Sequence, residues 1–150
     1  MPNNLKCIRD YMRTKIKTTR AREDIPRNTV TSIVNKLQKE GYHVKTNIMK
    51  GQNRIARGIS RKYGSYTPDI FAFRGINDIM VIEFENCANI SSHEIENKWK
   101  LFSSKPGLDF HIIVPLNCME KARYKSRVRN IPVKVHCINN WKHIFELKEN

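Results

Sequence analysis

Long apolar runs are absent from this chain of 150 residues. Its uncharged apolar stretches are far too short to span a bilayer, and the first residues lack the apolar segment of a secretory signal. No internal repeat, low-complexity segment or linker divides the chain, and 39% hydrophobic residues are enough to bury one ordinary core. The sequence therefore predicts one soluble, cytoplasmic domain over residues 1–150.

Acidic residues are scarce as well. The chain has 14 aspartates and glutamates against 28 lysines and arginines, which gives a formal net charge of +14 and a pI near 9.9. Such a large positive excess suits a polyanionic partner. Nucleic acid, and DNA in particular, is the expected partner, and no membrane partner is expected.

Closely spaced cysteine pairs are missing too. The four cysteines are Cys7, Cys87, Cys118 and Cys137, and the five histidines are His43, His93, His111, His136 and His143. This scatter excludes a zinc ribbon, and a chain of this length needs no disulfide scaffold. We expect free, mostly buried thiols and histidines in structural or surface positions.

Three carboxylates stand where a core would be expected. Asp69 follows Pro68 and opens an apolar segment, and a second apolar run, residues 79–82, continues directly into Glu83 and Glu85. Burying such charges costs several kcal/mol unless another group compensates them. A divalent cation is the simplest compensation.

Strand geometry brings these carboxylates together. Residues two apart on a strand share a face at roughly 6–7 Å, so Glu83 and Glu85 point the same way while Phe84 packs opposite. If the two segments pair as antiparallel strands, Asp69 lies at the same end as the glutamates and offers hard oxygen ligands of the kind that Mg²⁺ prefers. The alternatives are a plain turn at Pro68-Asp69 and glutamates that face water on an edge strand.

At these residues the chain resembles the PD-(D/E)XK nuclease superfamily, with Pro68-Asp69 and then Glu83-Phe84-Glu85. The resemblance implies that Asp69 and Glu83 bind Mg²⁺, with Mn²⁺ as a substitute. It also implies that Glu85, in the place usually held by lysine, helps to orient or deprotonate the attacking water. Lys98 is a second catalytic candidate, because in parts of the superfamily the lysine is thought to have moved to the following helix. The competing interpretation pairs Lys98 with Glu94.

The layout is similar to archaeal-type Holliday junction resolvases over roughly residues 28–115. This resemblance implies a restriction endonuclease-like α/β core, a mixed central sheet flanked by helices, and a homodimer that cuts two strands. Many superfamily members also carry a glutamate on the first core helix. Neither Glu23 nor Glu40 matches that position well.

Periodicity predicts the elements of such a fold. A basic N-terminal helical extension covers residues 1–27, and the core covers about 28–138. Helices are expected at 28–40, 92–105, 117–129 and 141–147, and strands at 42–48, 70–73, 79–85, 110–115 and 133–138. Two interpretations of this extension are open. Its cationic side chains contact a DNA backbone, or they form a solvated surface of the helix.

A long basic loop precedes Asp69. The residues expected to contact nucleic acid are Arg54, Arg57, Arg61, Lys62 and Tyr63. The alternative is a mobile surface loop. Five further cations between residues 121 and 129 either track a backbone or form a solvated surface.

These patterns together predict a Mg²⁺-dependent DNA endonuclease, either structure-specific like a junction resolvase or site-specific like restriction and homing enzymes. One alternative is a non-catalytic nucleic-acid-binding protein on the same fold. A basic RNA-associated protein is a further possibility that rests on charge alone. It leaves the paired glutamates unexplained.

Overall fold

Five strands and their flanking helices form an α/β fold in the computed structural model, which describes residues 25–48 and 66–146. In chain order the elements are α1 (Arg27–Lys39), β1 (His43–Thr46), β2 (Ile70–Phe73), β3 (Ile79–Phe84), α2 (Cys87–Ile90), α3 (His93–Ser103), β4 (Leu108–Val114), α4 (Met119–Val128), β5 (Lys134–Cys137) and α5 (His143–Glu146). Short 3₁₀ turns at Leu116–Cys118 and Ile138–Asn140 precede α4 and α5. The expected mixed sheet flanked by helices is confirmed.

The sheet follows the chain, in the order β1-β2-β3-β4-β5. The first three strands form an antiparallel meander, and β3, β4 and β5 run parallel. Helices α2 and α3 connect β3 to β4, and α4 connects β4 to β5. The carboxyl ends of the three parallel strands therefore lie at the same end of the sheet, as helical crossovers require.

Each face of the sheet carries its own core. Met80 and Ile82 of β3 pack with α1 residues on one face. Val81 packs with Trp99 and Phe102 of α3 on the other face. Because side chains alternate along a strand, Glu83 shares the face of Val81 and points toward α3.

Local sequence signals explain the helix boundaries. Gly41 stops the chain from continuing helix α1 beyond its cap. Its φ of 89° suits glycine, and its N–H donates to the carbonyl of Gln38. Helix α3 begins at Ser92, whose side chain accepts from the N–H of Ile95. The periodicity did not predict the short helix α2, although Asn86 caps it by accepting from the N–H of Asn89.

Some boundaries differ from the predictions. Strand β1 is shorter than expected, since it ends at Thr46, where the side-chain hydroxyl accepts from the N–H of Ile48 and turns the chain. The closing helix begins at His143 rather than at Trp141. The predicted N-terminal helix lies outside the described residues. No helix within residues 25–48 and 66–146 has the length and hydrophobicity to cross a membrane.

The expectation of free thiols is wrong for two cysteines. Cys87 and Cys118 form a disulfide, with their Cα atoms 5.2 Å apart. The physical reason is the parallel pairing of β3 and β4, which places the segments that follow these strands side by side. Cys137 is a half-buried free thiol. Cys7 lies outside the described residues.

Candidate active site

Asp69 and Glu83 meet at the end of the β2–β3 pair. Ile70 pairs with Ile82 in the antiparallel register, so the next residues outward, Asp69 and Glu83, lie opposite each other. The N–H of Asp69 donates to Glu83 Oε1 at 2.9 Å, and the N–H of Phe84 donates to Asp69 Oδ2 at 2.9 Å. The carboxylates of Asp69 and Glu83 thus accept hydrogen bonds from backbone N–H groups at the point where the regular backbone pairing of β2 and β3 ends.

Lys98 closes the cluster from α3. Its Nζ lies 2.9 Å from Glu83 Oε2 and 2.7 Å from Glu85 Oε1. Lys98 follows Ile95 by three residues and therefore lies on the same buried side of α3, which faces the sheet. Lys98 is bound to these two glutamates rather than to Glu94, the partner that the competing interpretation proposed.

The cluster is buried and rich in carboxylates. Asp69 is 1% exposed and Glu83 is fully buried, and Lys98 pairs with two of the three carboxylates. Burial, and then the proximity of Asp69, raise the pKa of Glu83 to about 8 despite the opposing effect of Lys98. Burial alone would lower the pKa of Lys98, but Glu83 and Glu85 outweigh it and hold that pKa above its ordinary value.

Backbone contacts fix the positions of these carboxylates. The buried hydroxyl of Thr46 donates to the carbonyl of Asp69 at 2.8 Å, and the N–H of Asn47 donates to the same oxygen at 3.3 Å. The N–H of Glu85 donates to the carbonyl of Ile113 on β4 at 3.0 Å. Each acidic residue is therefore held by a neighbouring strand as well as by its own.

The donor set suits a hard divalent ion. Asp69 and Glu83 supply carboxylate oxygens, and Mg²⁺ is commonly held by one or two carboxylates together with water and substrate phosphates. Within residues 25–48 and 66–146, no group of three or more histidine, cysteine, aspartate or glutamate side chains is arranged to hold a metal. This agrees with the position of Lys98, which lies between Glu83 and Glu85. Asp69 and Glu83 remain the candidate ligands.

Other predicted residues do not join the cluster. Glu40 ends α1 at the surface, where its carboxylate pairs with Lys36 at 3.1 Å. Glu23 and the loop residues Arg54, Arg57, Arg61, Lys62 and Tyr63 lie outside the described residues. Thr46 was not predicted as a site residue, since the sequence placed it inside a longer strand and gave no sign of its contact with Asp69.

A second polar network joins β4 and β5 on the face of the sheet opposite to the one that carries Glu83. Asp109 Oδ2 lies 2.8 Å from His111 Nε2, and His111 Nδ1 lies 2.8 Å from His136 Nε2. Lys134 Nζ pairs with Asp109 Oδ1 at 2.6 Å. These contacts join Asp109, His111 and His136 into one chain across the two strands. We call these four residues the histidine chain.

Burial and neighbouring charges set the protonation of two members of the histidine chain. Burial, and then the imidazoles of His111 and His143, lower the pKa of His136 to about 3. Burial alone would raise the pKa of Asp109, but His111 and Lys134 outweigh it and hold that pKa below its ordinary value. At neutral pH a neutral His136 therefore belongs to the same network as an ionised Asp109 that pairs with Lys134.

Comparisons with protein families, with curated proteins and with solved structures found no match for this chain.

Proposed function

We propose that the protein is a Mg²⁺-dependent DNA endonuclease with a restriction endonuclease-like core. The observation that carries the proposal is the meeting of three buried carboxylates, Asp69, Glu83 and Glu85, beside Lys98 at one end of the sheet. Gathering buried carboxylates is costly, and a divalent cation bound among them offsets that cost. The net charge of +14 supports a polyanionic substrate.

Each residue of the cluster has a distinct role in this proposal. Asp69 and Glu83 hold the divalent ion, which when bound polarises the scissile phosphate and lowers the pKa of its water. Glu85 orients the attacking water or accepts its proton as general base. Lys98 restrains both glutamates and supplies a positive charge near the phosphate.

The arrangement of strands and helices supports the proposed core. An antiparallel meander that carries the acidic residues is followed by a helical crossover to a parallel fourth strand. Within this core the proposal includes structure-specific cutting of branched DNA, as in junction resolvases, and site-specific cutting, as in restriction and homing enzymes. Cutting both strands of a duplex requires two sites, which a homodimer supplies.

Cleavage of plasmid and branched DNA in Mg²⁺ tests the proposal directly. We recommend the amide variants Asp69→Asn and Glu83→Gln, since alanine at 69 would leave the buried N–H of Phe84 without its acceptor. Both variants should lose cleavage by at least about 100-fold. Glu94→Gln, an exposed acid on the same helix as Lys98, is the matched control and should cut normally. Metal-dependent cutting that survives in both amide variants would exclude this site.

A second candidate is a nucleic-acid-binding protein without catalytic activity. The observation that favours it is the position of Lys98, which already neutralises part of the charge on Glu83 and Glu85. Calorimetric titration with Mn²⁺ separates the two functions. The endonuclease takes up the ion through Asp69 and Glu83 and loses that uptake in Asp69→Asn, whereas the binding protein shows no uptake at this site.

A further inference from the structure

The five cations of the segment from Lys121 to Arg129 do not have equal roles. Lys121 Nζ donates to the carbonyl of Cys87 at 2.7 Å. Lys125 Nζ donates to the carbonyls of Ile90 and Ser92 at 2.5 and 2.7 Å. Both lysines therefore hold the short helix α2, and Lys125 binds its carboxyl end, where cations are favoured.

Arg129 also has a partner within the fold. Its Nε lies 3.6 Å from Glu96 Oε1, and the same carboxylate oxygen lies 3.2 Å from Lys100 Nζ. Glu96 is largely buried at its side chain, so it holds these exposed cations close to α3. Three of the five cations are thus engaged by the protein itself.

Arg123 and Arg127 remain. They are exposed and lie one helical turn apart on α4, and neither side chain forms an ion pair or hydrogen bond with the rest of the described chain. Beside them lie Tyr124 and Val128, which are 60% and 56% exposed. We call these four residues the α4 face.

The α4 face belongs to a helix on the same side of the sheet as the carboxylate cluster, and the disulfide holds the start of that helix next to the segment that follows Glu85. Ala122 packs in the core that contains Val81 and Trp99, so α4 covers the face to which Glu83 points. Helix α4 begins directly after Cys118, whose disulfide partner Cys87 follows Glu85 by two residues. A ligand that crosses this side of the sheet therefore meets both features.

We infer that the α4 face binds the sugar-phosphate backbone of the nucleic acid that reaches the carboxylate cluster. The inference rests on the proposed function and adds the contact surface to it. Exposed guanidinium groups bind phosphate oxygens in a bidentate manner, and Tyr124 between them offers a ring for a sugar or base.

A second copy of this chain fits the α4 face less well. A stable dimer buries about 800 Å² on each partner, which four side chains on one short helix do not supply. A symmetric contact would also bring Arg123 and Arg127 against their own copies. Like charges in contact oppose such an interface.

The double variant Arg123→Gln/Arg127→Gln tests the inference. Binding of labelled duplex and branched DNA is measured by anisotropy in EDTA over a range of salt concentrations. The slope of log K against log salt should fall by about 1.8, and affinity should fall by about tenfold for every sequence tested. Lys39→Gln/Lys105→Gln removes the same charge from exposed Lys39 and half-buried Lys105, both outside α4, and should change the slope much less.

The outcomes separate this inference from the proposed function. An unchanged slope in the arginine variant overturns the inference, even if the protein cuts DNA. A reduced slope supports it, even if Mn²⁺ titration and cleavage assays reject the endonuclease. Absence of DNA binding by the unmodified protein overturns it as well. Loss of a dimer by the arginine variant in sedimentation, with an unchanged slope, assigns the surface to a second copy instead.

Discussion

The carboxylate cluster and the histidine chain are both polar networks on the central sheet, but they differ in the proportion of acids to lysines. The cluster gathers Asp69, Glu83 and Glu85 beside one ammonium. The histidine chain pairs one carboxylate with one ammonium and includes two imidazoles. Among their own members, carboxylates outnumber ammonium groups in the cluster but not in the histidine chain.

In the proposed function this difference distinguishes a binding site from structural support. A network with equal numbers of carboxylates and ammonium groups serves the fold without a ligand. A cluster of three buried carboxylates is stabilised further by an added cation. The face of the sheet that points to α3 is therefore the one on which we expect ligand-dependent behaviour.

The largest expected effect comes from removing the lysine of the cluster. Lys98→Met removes the ammonium that pairs with both buried glutamates and should lower the free energy of unfolding by about 3–5 kcal/mol. Lys134→Met removes the half-exposed lysine of the histidine chain and should lower it by no more than about 1 kcal/mol. Urea unfolding in EDTA measures both. Equal losses in the two variants would contradict the comparison.

Reduction of the disulfide should have the next largest effect. Cys87 and Cys118 are 31 residues apart, and closing such a loop stabilises the fold by about 3–4 kcal/mol in the chain-entropy account. A reductant should therefore lower the urea midpoint of the wild type. The double variant Cys87→Ser/Cys118→Ser should have the lowered midpoint already and should not respond to the reductant. A response in that variant would show that another thiol is involved.

The two networks should respond to pH in opposite directions. In the metal-free protein Glu83 has a pKa of about 8 instead of 4.5, so the folded state keeps a proton that the unfolded state releases, and stability falls as pH rises across that window. His136 has a pKa of about 3 instead of 6.5, so stability falls as pH drops below 6.5. Each of these groups changes the free energy of unfolding by at most about 1.4 kcal/mol per pH unit.

Single variants assign these two slopes. Between about pH 4.5 and 6.5 the two effects oppose each other, so the wild-type slope there is small. Glu83→Gln should abolish the fall in stability above about pH 6.5 and leave stability rising up to that pH. His136→Gln should abolish the rise at acidic pH and leave stability falling from about pH 4.5 to 8. Unfolding curves collected from acidic to mildly alkaline pH in EDTA measure the effect. An alkaline slope that persists in Glu83→Gln would place the raised pKa on another residue.

The smallest expected effect concerns the hydroxyl that positions Asp69. Thr46→Val removes a buried hydrogen bond to the Asp69 carbonyl and should lower stability by about 1 kcal/mol. Thr46→Ser retains the hydroxyl and is the matched control. Differential scanning calorimetry compares the two. If valine and serine have the same melting temperature, the hydroxyl does not hold Asp69.

Much of the fold was predictable because its signals are local. Alternation and turn residues located β2 and β3, and Gly41 and Ser92 marked helix boundaries. The four-residue helix α2 was missed because it is too short for a periodic pattern. The disulfide was missed because it depends on the parallel register of β3 and β4, which no local pattern encodes.

Contacts between neighbouring strands of the site were predictable from the sequence, but contacts between the sheet and helix α3 were not. Strand alternation and antiparallel pairing predicted that Asp69 and Glu83 would meet, and their contacts agree. The partner of Lys98 depends on how α3 lies on the sheet, so sequence spacing favoured Glu94 instead. The histidine chain depends on diagonal neighbours in β4 and β5, and the scatter of histidines along the sequence gave no sign of it.

Both edges of the sheet are short, since β1 and β5 have four residues each. Exposed strand edges are templates on which other chains add by backbone pairing, and short, charged edges limit such growth. Lys45 and Lys134 place a cation on each edge. We expect concentrated solutions of the folded protein to resist fibril formation and a charge-removing substitution at either lysine to weaken that resistance.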